Sequence, residues 1–104
     1  MSQQKEIVQK TMTDLQETVD LFYQQKKKTA LKKLDTVLGE LMTAIDTLFA
    51  YKAEHTDFPL DEGKLTNALK DAMNALQEGD HVLLADILQY DFLEYMEELS
   101  GQME

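Results

Sequence analysis

The sequence of 104 residues predicts an all-α fold, an antiparallel four-helix bundle built by a single domain. Two observations support this fold class. Apolar residues recur at alternating steps of three and four through the first half of the chain, which is the spacing of amphipathic helices. Two shorter segments of the second half repeat that spacing, and each follows an aspartate that can cap a helix. The predicted helices span about residues 3–25, 29–53, 61–78 and 80–100.

The first helix is predicted from one apolar stripe and from its N-terminal residues. Ser2 can serve as the N-cap, and Glu6 lies near the positive end of the helix dipole. The stripe consists of Val8, Met12, Leu15, Val19 and Phe22.

The second helix carries its own stripe, which is out of phase with the first by two positions, or about 200° around a helix. One straight helix would bury the two stripes on opposite sides. The sequence therefore predicts a turn within residues 24–29, with Thr29 capping the second helix; the alternative is one long helix that switches faces. Gly39 inside this helix indicates a close helix crossing. The second stripe consists of Leu31, Leu34, Leu38, Leu41, Ile45, Leu48 and Lys52.

Capping residues delimit the third and fourth helices. Pro59 separates them from the second helix, Asp61 can cap the third, Gly79 suits its C-terminus, and Asp80 can cap the fourth. The apolar stripe of the third helix is Leu65, Leu69, Ala72 or Met73, and Leu76.

The fourth helix presents two apolar faces, although one face of a helix in such a bundle should be solvated. The broad face is predicted to be core and holds Leu84, Ala85, Leu88, Phe92, Tyr95, Met96 and Leu99. The opposite arc holds Asp86, Asp91, Glu94, Glu97 and Glu98, with Leu83, Ile87 and Tyr90 among them. Either the loop at residues 54–60 covers this stripe with Phe58 and Leu60, or the stripe is an interface. We take Leu83, Ile87, Tyr90, Asp86 and Glu94 as candidate partner-binding residues.

Charge is distributed unevenly along the chain. The net charge is −10, and all ten basic residues are lysines. Residues 53–104 hold thirteen acids and two lysines, so nucleic acids and anionic membranes are poor partners.

Five lysines cluster around the predicted turn. In a bundle this turn shares an end with Glu78 and Asp80, so the cluster is either neutralised there or offered to an acidic partner. The cluster is Lys26, Lys27, Lys28, Lys32 and Lys33.

The sequence contains no pattern typical of an enzyme or a metalloprotein. It has no cysteine, and its glycines stand singly. The one Glu-x-x-His match, Glu78 to His81, spans a predicted helix break, and both histidines are interpreted as solvated. We therefore expect no catalytic site, no metal and no cofactor.

With neither a signal peptide nor an apolar run of membrane-spanning length, the chain is expected to be cytoplasmic.

The segment Glu78–Tyr90, with the sequence EGDHVLLADILQY, is similar to the C-terminal part of small uncharacterised helical proteins of Gram-positive bacteria. The size, the acidity and the Ala30-x-x-x-Leu34 start of the second helix also resemble flagellar export chaperones of the FliS and FliT type. Such chaperones are small helical proteins that bind helical tails of export substrates. The resemblance implies a helical partner.

These observations favour a non-enzymatic interaction module, an adaptor or export chaperone, that binds a helical partner, itself through the fourth helix, or both. The alternative is an acidic inhibitor or nucleic-acid mimic whose carboxylates occupy a basic cleft. The two differ in salt dependence, because a mimic loses most of its affinity at high ionic strength and an apolar groove does not.

Overall fold

The computed structural model describes residues 3–104, so the predicted cap at Ser2 lies outside the described residues. Helices account for 83% of the chain, and the described residues form no strand, which confirms the all-α prediction. Helix α1 spans Gln3–Tyr23, α2 spans Lys27–Glu54 and α3 spans Glu62–Gln77. Helix α4 is continuous but has three parts, the α-helical His81–Asp86, the π-helical Ile87–Leu93 and the α-helical Glu94–Ser100.

The four helices run up, down, up and down. Ion pairs between Lys10 and Glu40 and between Lys33 and Glu17 cross-link α1 and α2 in antiparallel order. Helix α1 also packs against α4, which in turn packs against α3. Hydrogen bonds from Tyr23 to Asp86 and from Gln16 to Gln89 show that α1 and α4 are antiparallel.

Two turns with the same backbone geometry close one end of the bundle. After α3, Gly79 adopts a φ of 71°, and the Asp80 N–H donates to the Ala75 carbonyl at 2.9 Å. After α1, Gln25 adopts a φ of 62°, and the Lys26 N–H donates to the Leu21 carbonyl at 2.9 Å. Both are Schellman motifs, in which a left-handed residue satisfies the last carbonyls of a helix.

The turn after α1 confirms the predicted chain reversal and excludes one long helix. The prediction that Thr29 caps α2 is wrong, because α2 begins at Lys27 and places Thr29 inside its first turn. No side chain caps α2 at Lys26. The chain reverses through the left-handed Gln25, so the reversal does not depend on a capping side chain.

The core lies between all four helices, and small residues contribute more to it than the sequence predicted. Leu34, Leu41, Ile45 and Leu48 of α2 are buried as predicted, whereas Leu31, Leu38, Met12, Leu69 and Leu76 are only partly buried. The core also contains buried side chains outside the predicted stripes, namely Ala30, Val37, Ala44, Ala68 and Ala75, with Thr11 and Thr18 of α1. Both threonine hydroxyls donate to carbonyls four residues earlier, which satisfies them inside the core.

Two other expectations for α2 are wrong. Lys52 is not part of the stripe, because its Nζ donates to the carbonyls of Thr56 and Phe58 in the following loop. Gly39 does not mark a close helix crossing, since a Cβ built there would meet no atom within 4 Å.

Candidate interaction surface

The inner side of α4 is core, as the sequence predicted. Four core residues of α4 follow one another at steps of four, namely Leu84, Leu88, Phe92 and Met96. In an α-helix, side chains at this spacing would rotate around the helix axis by about 40° per step. The π-helical segment removes this rotation by taking one more residue per turn, as the Glu94 N–H donating to the Gln89 carbonyl indicates. The predicted core residues are all buried, namely Leu84, Ala85, Leu88, Phe92, Tyr95, Met96 and Leu99.

The outer side of α4 exposes a cluster of apolar and aromatic side chains. Val82 is 71% exposed, Leu83 45% and Tyr90 60%, and Tyr23 of α1 beside them is 46% exposed. These are four of the six large hydrophobic side chains that are exposed in residues 3–104. We call the four residues together the α4 face.

Ile87 does not belong to this face, so the predicted stripe is wrong in its central residue. Only 6% of Ile87 is exposed. The π-helical segment packs against α3, and Ile87 lies in the groove between the two helices with Asn74 and Ala75. The sequence pattern placed Ile87 with Leu83 and Tyr90 because it could not locate α3 on that side of α4.

The alternative that the loop at residues 54–60 covers the stripe is also wrong. Phe58 packs edge-on against Tyr51 with ring centroids 4.7 Å apart, and Phe58 and Leu60 are both buried in the core. Leu83 and Tyr90 remain exposed.

Tyr23 and Asp86 connect the two helices that form the face. The Tyr23 hydroxyl donates to Oδ1 of Asp86 at 2.6 Å. Desolvation, followed by this hydrogen bond and the negative charge of Asp86, raises the pKa of Tyr23 to about 12. Asp86 is half-buried, and the hydrogen bond from Tyr23 holds its carboxylate beside the apolar side chains.

Two grooves adjoin the α4 face. One, of about 550 Å³, lies at the bundle end where the two turns meet, and its lining includes Val82, Tyr23, Lys27 and Asp80. The other, on the α3 side of α4, has a volume of about 350 Å³ and is lined by Asp71, Asn74, Ala75, Glu78, Leu83, Ile87 and Asp91. The second groove therefore combines an apolar floor with three carboxylates.

Comparison with known proteins places this fold in a family. A family model described as a domain of unknown function, DUF8042, matches residues 1–102. The chain belongs to the DUF8042 family. No curated protein and no solved structure matched the sequence. The match includes the α4 face, so this surface is part of the DUF8042 domain.

The basic turn of the DUF8042 protein lies at the bundle end that the sequence predicted, because Lys27 and Asp80 line the same groove. Mutual neutralisation with Glu78 and Asp80 is not seen, however. Lys33 pairs with Glu17 of α1 at 2.9 Å instead. The side chains of Lys26, Lys27, Lys28 and Lys32 are exposed.

The histidines of the DUF8042 protein are not simply solvated, as the sequence had suggested. His81 stacks on Phe22 with ring centroids 5.8 Å apart, and His55 stacks on Tyr51 with ring centroids 4.0 Å apart.

Within residues 3–104, no group of three histidine, cysteine, aspartate or glutamate side chains could hold a metal ion. In the same part of the chain no helix is long and apolar enough to cross a membrane.

Proposed function

We propose that this DUF8042 protein is a non-enzymatic interaction module, an adaptor or chaperone-like protein, that binds a helical segment of a partner protein on its α4 face. The main observation in support is that this face holds four of the six large hydrophobic side chains that are exposed in the described part of the chain. Exposed apolar clusters rimmed by polar residues are typical of protein interfaces.

The shape of the surface supports a helical ligand. The exposed side chains border two grooves of about 550 and 350 Å³. A helix bound in a groove contributes anchors at i, i+3, i+4 and i+7, and the groove on the α3 side extends past Leu83, Ile87 and Asp91, which follow one another at four-residue steps along α4. The Tyr23–Asp86 hydrogen bond holds α1 and α4 together before binding, which lowers the entropy lost on association.

A second copy of the chain is a less suitable partner than a different protein. Symmetric pairing of two α4 faces would set Asp86, Asp91 and Glu94 of one copy against the same residues of the other. Juxtaposed like charges oppose association by several kcal/mol. We therefore propose a heterologous partner as the main ligand.

The acidic-mimic alternative is supported by a different feature, the carboxylates of α3 and α4 that no lysine pairs with in residues 3–104. A nucleic-acid mimic would gain nothing from the exposed Leu83 and Tyr90, which favours the interaction module. Salt separates the two functions, because the affinity of a mimic falls steeply with ionic strength.

The experiment is affinity capture from cells that express the protein, with matched variants as bait. Leu83→Ser with Tyr90→Ser should lose the partner that the wild type retains. Met42→Ser with Met73→Ser removes two apolar side chains, 46% and 45% exposed, that do not belong to the α4 face, and this variant should retain the partner. Equal retention by both double variants would contradict the proposed surface.

A further inference from the structure

We infer that the ligand of the α4 face is a basic amphipathic helix, with an apolar stripe flanked by lysine or arginine. The inference rests on the proposed function and adds the charge of the partner. It follows from the carboxylates in the groove on the α3 side of the exposed side chains and from the absence of a lysine among the residues that line this groove.

The first step is the location of the acids. The groove beside Leu83 is lined by Asp71 of α3, by Glu78 just after α3 and by Asp91 of α4, and no lysine lines it. Asp86 accepts a hydrogen bond from the hydroxyl of Tyr23 of α1. A helix that binds in the groove beside Leu83 therefore lies against three carboxylates.

The second step is that these acids have no cationic partner within the described residues. The ion pairs there are Lys10–Asp14, Lys10–Glu40 and Lys33–Glu17, all formed on α1 and α2. The second half of the chain has only two lysines, and Lys64 lies 4.1 Å from the centroid of the Tyr95 ring. Binding a basic helix therefore requires no internal ion pair to break.

The third step is desolvation. An uncharged or acidic helix laid over Asp86 and Asp91 would remove water from the carboxylates without replacing its hydrogen bonds, which is costly. Lysine or arginine at those positions supplies charge-assisted hydrogen bonds instead. Arginine suits the site better, because its planar fork can bind a carboxylate through two hydrogen bonds.

The fourth step is spacing. Asp71 of α3 and Glu78, the residue that follows the helix with helical backbone angles, are seven residues apart, which corresponds to two helical turns or about 10 Å. A partner helix aligned with the groove can pair with both carboxylates when two of its own basic residues are separated by seven positions. The expected ligand therefore repeats basic residues at i and i+7 on one edge of its apolar stripe.

The test uses three synthetic peptides of about 20 residues, long enough to cover the length of α4. One has a leucine stripe flanked by arginine and lysine, the second has the same stripe flanked by glutamate, and the third has the composition of the first with the stripe permuted. Fluorescence anisotropy measures the affinity of each for the full chain. We expect the first to bind at least about tenfold more tightly than either of the others.

A charge-matched pair of variants locates the effect. Asp71→Asn, Glu78→Gln and Asp91→Asn together should reduce the preference for the basic peptide to less than about threefold. The control variant Glu6→Gln, Asp35→Asn and Asp46→Asn removes the same number of charges from exposed positions of α1 and α2 and should leave the preference unchanged. Circular dichroism verifies that both triple variants are folded.

The remaining outcomes separate this inference from the proposed function. Equal binding of the two stripe peptides would overturn the basic partner and leave helix binding intact. Tight binding of the permuted peptide would overturn both in favour of an acidic mimic. If no peptide binds, the inference is wrong, and the capture experiment with Leu83→Ser and Tyr90→Ser decides whether the surface binds another kind of partner.

Discussion

The hydroxyl of Tyr23 lies 2.6 Å from Oδ1 of Asp86 and joins the C-terminal end of α1 to the first turns of α4. Both partners border the exposed side chains of the α4 face. One hydrogen bond to a charged group thus fixes the distance between the two helices at the surface where we expect a ligand to bind.

Replacing Tyr23 by phenylalanine should lower the free energy of unfolding by about 1 kcal/mol at neutral pH, because it removes this hydrogen bond. The folded-state pKa of Tyr23, about 12, exceeds its ordinary value of 10.0. The associated stability is therefore fully present below pH 10 and is lost as the pH rises through 12. Phenolate absorbance should show a late-titrating component from Tyr23, which disappears in Tyr23→Phe and titrates earlier in Asp86→Asn. An unchanged titration in Tyr23→Phe would refute the assignment.

The two Schellman turns predict opposite effects of exchanging their central residues. Gln25→Gly should raise the free energy of unfolding by about 0.5–1 kcal/mol, because the φ of 62° costs a residue with a Cβ and costs glycine nothing. Gly79→Gln should lower it by about 1 kcal/mol for the same reason. Urea denaturation measures both. Changes of the same sign in the two variants would show that backbone conformation does not govern these turns.

The carboxyl groups of Asp14 and Glu40 form an acid pair between α1 and α2, beside Lys10. The pKa of Asp14 is held down, first by its hydrogen bond with Glu40 and next by its hydrogen bond with Lys10. The pKa of Glu40 is raised first by its hydrogen bond with Asp14 and next by burial. The stability from protonated Glu40 is present below pH 4.5 and is lost as the pH rises through its raised pKa, whereas that from Asp14 is lost as the pH falls below 3.8.

We therefore expect maximal stability of this contact in mild acid. Glu40→Gln keeps a hydrogen-bond donor without the second charge, so it should stabilise the protein by about 1 kcal/mol at neutral pH. It should also flatten the decline in melting temperature above pH 4.5. Asp35→Asn, at an exposed position of α2, serves as the control. A Glu40→Gln melting profile parallel to that of the wild type would disprove the proposed effect of the Asp14–Glu40 acid pair on stability.

The burial of Ile87 beside the exposed Leu83 predicts different effects of the same substitution. Ile87→Ser should destabilise by a few kcal/mol, since it leaves a cavity and a polar group against α3. Leu83→Ser, at 45% exposure, should change stability by less than about 1 kcal/mol. Thermal melting and light scattering compare them. If Leu83→Ser unfolds the monomer as Ile87→Ser does, residue 83 is core and the α4 face is smaller than proposed.

The sequence predicted the helices well because their ends carry local signals. Asp61 and Asp80 accept hydrogen bonds from the backbone of Lys64 and Leu83 at the starts of α3 and α4, as capping aspartates do. The sequence pattern placed Ile87 wrongly, because tertiary packing decides which helix lies beside a given residue. The π-helical segment also escaped prediction, although the run of four-residue steps from Leu84 to Met96 was its visible signal.

The hydrogen bond between Tyr23 and Asp86 could not be predicted either. It depends on the register between α1 and α4, which are separated by about 60 residues of sequence, and no local pattern sets that register. The acidity of the surface, by contrast, could be predicted from the amino-acid composition alone.

The central claim is that a partner binds on the α4 face, and amide chemical shifts of the isotope-labelled protein test it most directly. On titration with a partner captured by the wild type, the account predicts the largest changes at Tyr23, Val82, Leu83 and Tyr90. Largest changes at the basic turn around Lys27, with residues 82–90 unaffected, would contradict it.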